Sequence, residues 1–529
     1  MNRILLFVIC VLAGPLSGVA TQAKTPDDTL VIARQIDDIL SLDPAEAYEF
    51  TGMEVVNNVY DRLMRFEAED TSKLVGGVAE SWIVSADGKV FTFKLRPNQT
   101  FQSGAPLTAE DAAFSLQRFV ILNKPPSFLI GQLGLTKDNV KEMVTAVDPL
   151  TLQVKISVDY APSLVLRLFS SLAGSVVEKK VVLEHEKDGD LGNAWLRTHS
   201  AASGPFGLVA WRPNQSITLE SFAGYRLGAP GIKRVVIQHV PEPASQRLLL
   251  ESGDVDIARD LTADQLVNLE NNKDIVINRS LGADTWYLAL NQSDARLANP
   301  KVQQAMKYLV DYDGMANSFL KNRFQVHQTF LPVGFLGAIV DNPYKLDVAK
   351  AKVLLAEAGY PNGFEISMVT YNSSPMADIA QSVQQTMAMA GIKIDIVSVE
   401  QRQALTRMRA RDYQMIAVRW GPDYLDPHTN AHTFAYNRDN SDNAKEKPVA
   451  WRASWAVPDE INKLQDLAAQ ERDTGKREAM YKDLQQRLLK DSPFVIMFQP
   501  IFSVAQRSNV KNFVFGLNFD VTYYRRVTK

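Results

Sequence analysis

The sequence has almost no cysteine. In 529 residues there is one, Cys10, and it lies in a segment that reads as removable, so the mature chain is expected to carry no thiol. An exported chain without cysteine takes nothing from disulfides, and at this length it needs none, because a large apolar core is within reach. Also missing is any apolar run approaching the roughly 20 residues that cross a bilayer as a helix. Neither charge dominates, with 57 Lys and Arg against 60 Asp and Glu. That balance, and the lack of a basic run, argue against nucleic acid or an anionic membrane surface as a partner. No repeat of 20–50 residues recurs along the chain. Local catalytic signatures are absent too: there is no Gly-x-Ser-x-Gly elbow, no phosphate-binding Gly-x-x-x-x-Gly-Lys loop, no Gly-x-Gly-x-x-Gly turn and no His-Glu-x-x-His helix. An enzyme remains conceivable only through residues dispersed in sequence.

What is present begins with Arg3, an apolar run Ile4–Ala13 and small residues through Gly18, Ala20 and Ala23. This is the layout of a cleavable secretory signal over 1–23. Cys10 follows Val8-Ile9, without the small residues that precede a lipid-modified cysteine, so the expectation is a soluble exported protein. Length implies two to four domains, and an apolar content of 46% is that of a globular chain. The polar stretch Asn437–Lys447 reads as an exposed loop.

Local patterns predict mixed α and β structure. Trp82–Val84 and Val90–Leu95 flank Asp87-Gly88 with the alternation of a hairpin. Thr108 and Asp111 are placed to box the start of a helix carrying Ala112, Leu116 and Phe119 on one face. Leu152, Val154, Ile156 and Val158 alternate as a further strand, so 60–185 reads as an α+β unit. Ile217 and Leu219, then Val235 and Ile237, alternate likewise. A helix is expected over Pro243–Glu251, and a short strand over Tyr287–Asn291. Asn299-Pro300 and Asp347 each open a helix, and the second is stopped by Gly359. Strands at Phe364–Val369, Ile392–Val397 and Tyr413–Trp420, with a helix over Asp378–Ala390, make a layered βαβ unit. Phe494–Phe502 and Phe513–Phe515 read as late strands.

Few residue groups suggest chemistry. His428 and His432 would share a helical face behind Asp426-Pro427, with Asp423 nearby. Two ligands do not define a metal site, and a capped helix explains the pattern, with binding of a metal or a metal chelate as the alternative. Arg402, Arg407, Arg409 and Arg411 read as a solvated helix face, or alternatively as a contact for anionic cargo or a membrane partner. Trp451 and Trp455 read as core. Trp420 stands where a strand ends and the turn Gly421-Pro422-Asp423-Tyr424 begins, a common ligand position in open αβ sheets.

Several segments together resemble the periplasmic dipeptide-, oligopeptide- and nickel-binding proteins of ABC importers, solute-binding protein family 5. They are Ala79-Glu80-Ser81-Trp82 through Arg96, Phe101 to Asp111, Ser203-Gly204-Pro205-Phe206, Ser252 to Asp256, and Ala356 to Gly363. The resemblance implies an α/β two-lobed periplasmic binding protein fold, type II, with an extra α+β subdomain inserted in lobe 1. Lobe 1 would cover 24–287 with the insertion at about 60–185, lobe 2 would cover 288–495, and the strands of 496–529 would return to lobe 1. Tyr287–Asn291 and Phe494–Gln499 would cross a hinge that closes on cargo.

The resemblance also implies a role. The chain would capture a short peptide in the periplasm, as a monomer without cofactor or catalytic activity, and pass it to permease subunits in the inner membrane. Asp423, in Trp420-Gly421-Pro422-Asp423-Tyr424, matches the aspartate that holds a peptide α-ammonium, with Trp420 and Tyr424 beside it. Arg419 departs from the family, whose peptide binders have Gly there. It would reach a cargo carboxylate or phosphate, shorten the pocket, or point away from the cleft. No arginine for the cargo's C-terminus is identifiable. Opines, glutathione, nickel chelates or haem are alternative cargoes, a secreted hydrolase is the alternative class, and handing cargo to a sensor is a third role.

Overall fold

The computed structural model describes residues 25–67, 70, 73–518 and 521–529. The expected signal segment, 1–23, lies outside the described residues. Its organising element is a sheet of twelve strands. In chain order they are β1 (Thr29–Arg34), β2 (Phe206–Arg212), β3 (Ser216–Ser221), β4 (Arg234–His239), β5 (Ile257–Ala258) and β6 (Ile275–Leu281), then β7 (Thr285–Leu290), β8 (Phe324–Val326), β9 (Glu365–Tyr371), β10 (Lys393–Val399), β11 (Met415–Trp420) and β12 (Phe494–Arg507). The main path runs β10-β9-β11-β7-β12-β5-β1-β4-β3-β2, with β6 and β8 also paired to β12.

β12 holds the two halves together. Its first residues, Phe494–Phe498, pair with β7, whereas Ile501–Arg507 pair with β6. The chain thus passes between halves at Gly282–Asp284 and again at Gln499–Pro500, where the Gly282 amide donates to Pro500 O at 2.8 Å and Gln499 Nε2 donates to Gly282 O at 2.9 Å. Gly282 is required there by space, since a Cβ would stand 2.5 Å from the Phe502 ring. These crossings lie a few residues away from the 287/288 and 495/496 boundaries expected from sequence. Strand alternation shows which face is buried, and not which partner a strand adopts.

Each half has its own apolar core. One cluster gathers Leu30, Ile32, Val235 and Ile237 with Phe91, Phe93 and Phe101. The other gathers Leu288, Val302, Met306, Met368, Ile379, Ile416 and Phe498. The hairpin Ala79–Val84 and Val90–Leu95 joins Thr151–Lys155 and Val144–Asp148 in a separate four-stranded antiparallel sheet. Its buried face nevertheless belongs to the same cluster as β1 and β4, so the segment is a second sheet on a shared core.

Local signals act as their chemistry dictates. Thr108 accepts from the Asp111 amide while Asp111 accepts from the Thr108 amide, and the boxed helix runs Ala109–Leu122. Asn299 and Asp347 cap helices Pro300–Lys307 and Val348–Glu357. β9, helix Met376–Ala388 and β10 form a parallel crossover unit, and the Asn437–Lys447 stretch carries no helix or strand.

Candidate functional site

A cavity of about 320 Å³ opens where β12 passes between the halves, within the range of small-molecule sites. Arg34, Arg259 and Asp260 wall it from the first half, and Asp284, Trp286, Arg323 and Arg419 from the second. Its charges are mostly matched. Glu54, 1% exposed, accepts from Arg34 Nη1 at 2.7 Å, from Arg259 Nη1 at 2.9 Å and from the Tyr524 hydroxyl at 2.5 Å. Burial opposes ionisation of Glu54, yet Arg259 and Arg34 hold its carboxyl below the usual range. Arg419 Nη1 donates to Asp284 Oδ2 at 2.7 Å, and its guanidinium lies 5.1 Å over the Phe50 ring of the other half. Burial leaves the Asp284 carboxyl raised despite this partner.

Asp423 follows the end of β11 and does not line this cavity. Its carboxylate accepts a short hydrogen bond from the hydroxyl of Tyr48, which belongs to the first half. Burial pushes the carboxyl up to about 6, against the Tyr48 hydrogen bond and the charges of Arg452 and His432. The ring of Trp420 meets Phe434 edge-on at 5.7 Å, half-buried at the margin of the second core. Tyr424 crosses over: it is 4% exposed within the first half's core, and its hydroxyl donates to Gln132 Oε1 at 3.4 Å. The tetrad expected from sequence is therefore divided. Arg419 walls the cavity, Asp423 meets Tyr48, and Tyr424 packs between the halves.

The neighbouring Asp426 is in a contrasting state. Arg477 donates to both of its oxygens, at 2.9 and 2.6 Å, and its carboxylate also caps helix Pro427–Ala435 through the His428 amide. Against the burial cost, Arg477 and then Arg167 hold this carboxyl below the usual range. Arg167, from the first half, also donates to Leu425 O at 2.7 Å. His428 and His432 do share a helical face, 5.5 Å apart. Burial pushes His428 down to about 3, Gln465 Nε2 approaches its Nδ1 at 2.9 Å, and His432 turns to Glu446 at 3.3 Å. Asp426 is thus paired with Arg477 and Asp423 bonds Tyr48, and among the described residues no group of three or more His, Cys, Asp or Glu is placed to hold a metal. In the arginine cluster, Arg411 lies 3.6 Å over Trp451 and Arg407 pairs with Asp412, while Arg402 and Arg409 are exposed. No helix among the described residues is long and apolar enough to cross a membrane.

Sequence reasoning missed Arg34, Arg259, Trp286, Arg323 and Tyr48. Each is unremarkable in its local pattern; the sheet crossing gathers Arg34, Arg259, Trp286 and Arg323, and contact between the halves beyond β11 brings Tyr48 to Asp423.

Known proteins share this fold. The pattern of bacterial extracellular solute-binding proteins, family 5 Middle, matches residues 73–442. The chain is 28% identical over 498 residues to the probable D,D-dipeptide-binding periplasmic protein DdpA of Escherichia coli K12, covering 93% of each. It is 24% identical over 469 residues to the glutathione-binding protein GsiB of Pectobacterium atrosepticum, covering 86% of each. The solved structure of the ABC transporter-associated periplasmic binding protein DppA from Helicobacter pylori, in complex with the peptide STSA, superposes with a TM-score of 0.78 over 94% of this chain and 98% of that one, at 24% identity. At that identity the likeness establishes the fold, two lobes on either side of a cleft.

Proposed function

Because the chain belongs to the bacterial extracellular solute-binding proteins of family 5, we propose that it is the periplasmic receptor of an ABC importer. It captures short peptides between its lobes and delivers them, as a monomer, to permease subunits in the inner membrane. The lobes divide at Gly282–Asp284 and Gln499–Pro500, and the 1–23 segment is a cleavable signal that directs export. The observation that carries the cargo reading is Asp423. It is a half-buried carboxylate between the lobes whose close side-chain partner is a neutral phenol, so burial raises its proton affinity. A cargo ammonium would supply the missing charge, and such a charge-assisted hydrogen bond contributes about 1.5–3 kcal/mol net. Trp420 borders that position, while Tyr424 and Arg419 hold the lobes around it. The relatives named for a D,D-dipeptide and for glutathione favour small amine-bearing peptides over haem.

The receptor performs no bond chemistry on its cargo. Native mass spectrometry of protein purified from its host's periplasm tests the reading. Co-purified short peptides are the expected result, and one nonpeptide species would overturn it. Peptide incubated with the protein stays intact, and measurable hydrolysis would replace the receptor with an enzyme.

A further inference from the structure

Among the four arginines of the cavity, Arg323 stands apart. Arg34 and Arg259 share Glu54, and Arg419 has Asp284. Asp260, the other carboxylate in the wall, accepts from the Gln35 amide at 2.8 Å and from Gln246 Nε2 at 3.0 Å. The half-buried guanidinium of Arg323 has no hydrogen bond, ion pair or ring contact among the described residues. Burial alone acts on it and lowers its proton affinity. Its backbone is fixed, since the Ile501 amide of β12 donates to Arg323 O at 2.6 Å and β8 begins at the next residue.

A second donor is idle in the same wall. Trp286, 8% exposed, has a buried indole N–H with no acceptor, and its ring stands edge-on to Phe324 at 4.7 Å. Arginine and indole are both donors without acceptor capacity. A half-buried charge without a countercharge and a buried N–H without an acceptor are both costly to the empty protein, and a bound acceptor would relieve both. Phe324, Phe502 and Leu266 supply apolar walls around them, where a charge-assisted bond is stronger than in water.

We infer that Arg323, seconded by the indole N–H of Trp286, receives a carboxylate of the cargo at the crossing of β12. This rests on the reading of the cavity as part of the cargo site, and it narrows the cargo to carboxylate-bearing amines.

The test is calorimetric titration of wild-type and Arg323→Gln proteins with D-alanyl-D-alanine, L-alanyl-L-alanine and the C-terminal amide of each, at constant ionic strength. For a dipeptide that binds, the wild type should prefer the acid over the amide by about 10- to 100-fold. The variant should bring that preference within about threefold, with no loss of melting temperature, because the guanidinium has no partner to lose. Trp286→Phe should reduce the preference in the same direction and by less. An acid preference that survives Arg323→Gln overturns the inference. Failure of both dipeptides to bind the wild type would count against the peptide reading, and the inference is then decided by thermal unfolding in millimolar succinate. Stabilisation of the wild type that Arg323→Gln abolishes supports a carboxylate site, and with peptides that bind as acid and amide alike it assigns the carboxylate to a side chain. Stabilisation shared by both proteins, or absent from both, overturns it.

Discussion

Two ends of the interlobe cleft carry opposite deficits of charge. Where β12 crosses, four guanidiniums line the cavity and three carboxylates, Glu54, Asp260 and Asp284, stand against them. Arg323 is the one left over. Beyond the end of β11 the sign is reversed, and Asp423 has a phenol as its hydrogen-bond partner, with Arg452 and His432 acting on it only through their charge. Three residues further on, Asp426 shows what full compensation looks like, with a guanidinium on both oxygens and a proton affinity held low. Asp426 and Asp423 share one loop and one residue type, so their difference comes from their partners. On the cargo reading proposed above, the protein satisfies the charges that hold it together and leaves one of each sign for the cargo. A zwitterion supplies both missing partners, and an amine-bearing cargo with a free carboxylate is the simplest molecule that does.

The contrast breaks first, and with the largest effect, at the compensated end. Arg477→Ala takes the guanidinium from both oxygens of buried Asp426 and leaves it only Arg167 at 3.7 Å, which should cost about 3–5 kcal/mol of folding free energy in denaturant titrations. Arg323→Gln removes an unpaired charge and should cost nothing measurable. Equal losses in the two variants would mean that pairing is not what separates these sites. At the acidic end, Asp423→Asn should weaken peptide binding by about tenfold or more. The same variant sharpens the comparison through pH. The folded carboxyl is raised to about 6 from an ordinary 3.8, so the folded state holds this proton more tightly than the unfolded one. The associated stability is present below about pH 4 and is lost as pH rises through about 6. Asparagine stays neutral throughout. The empty variant should therefore match the wild type at pH 4 and exceed it at pH 8, by about 1 kcal/mol once partial solvation is allowed for. A variant less stable than wild type at pH 8 would show that Asp423 is already compensated.

How legible these features are in the sequence depends on how local they are. The Thr108 and Asp111 box, the Asn299 and Asp347 caps and the helix start at Asp426-Pro427 act within four residues, and their chemistry reads directly. The βαβ unit around helix Met376–Ala388 reads from periodicity. Asp423 is identifiable as a candidate through the residues around it, which match a family segment. Its state is not, because Tyr48, which sets that state, is 375 positions away. Arg419 reads as a cargo contact, a filler of the pocket or a side chain turned away until Asp284, 135 positions away, accounts for its charge. Arg323 gives no signal at all. What distinguishes it is the lack of a partner, and that depends on every segment folded around it.

The smallest expected effect concerns the phenol that occupies Asp423 in the empty cleft. Tyr48 donates one hydrogen bond to the carboxylate and so opposes part of the rise caused by burial. Tyr48→Phe keeps the ring and its edge-on contact with Phe128 at 6.0 Å while deleting that donor. Without it the carboxylate should hold its proton more tightly, and the pH below which peptide binding weakens should move up from about 6 by as much as about one unit, the equivalent of a hydrogen bond worth about 1 kcal/mol. At pH 8 the carboxylate is ionised with or without the phenol. There the cargo ammonium proposed to bond Asp423 meets the same charge in either protein, and affinity should change by less than about threefold. Binding isotherms of both proteins between pH 5 and 8 separate the possibilities. An unmoved pH midpoint would mean that the phenol does not govern the carboxylate, and a tenfold loss at pH 8 would make Tyr48 a cargo contact, turning the acidic end from a single charge into a two-residue clamp.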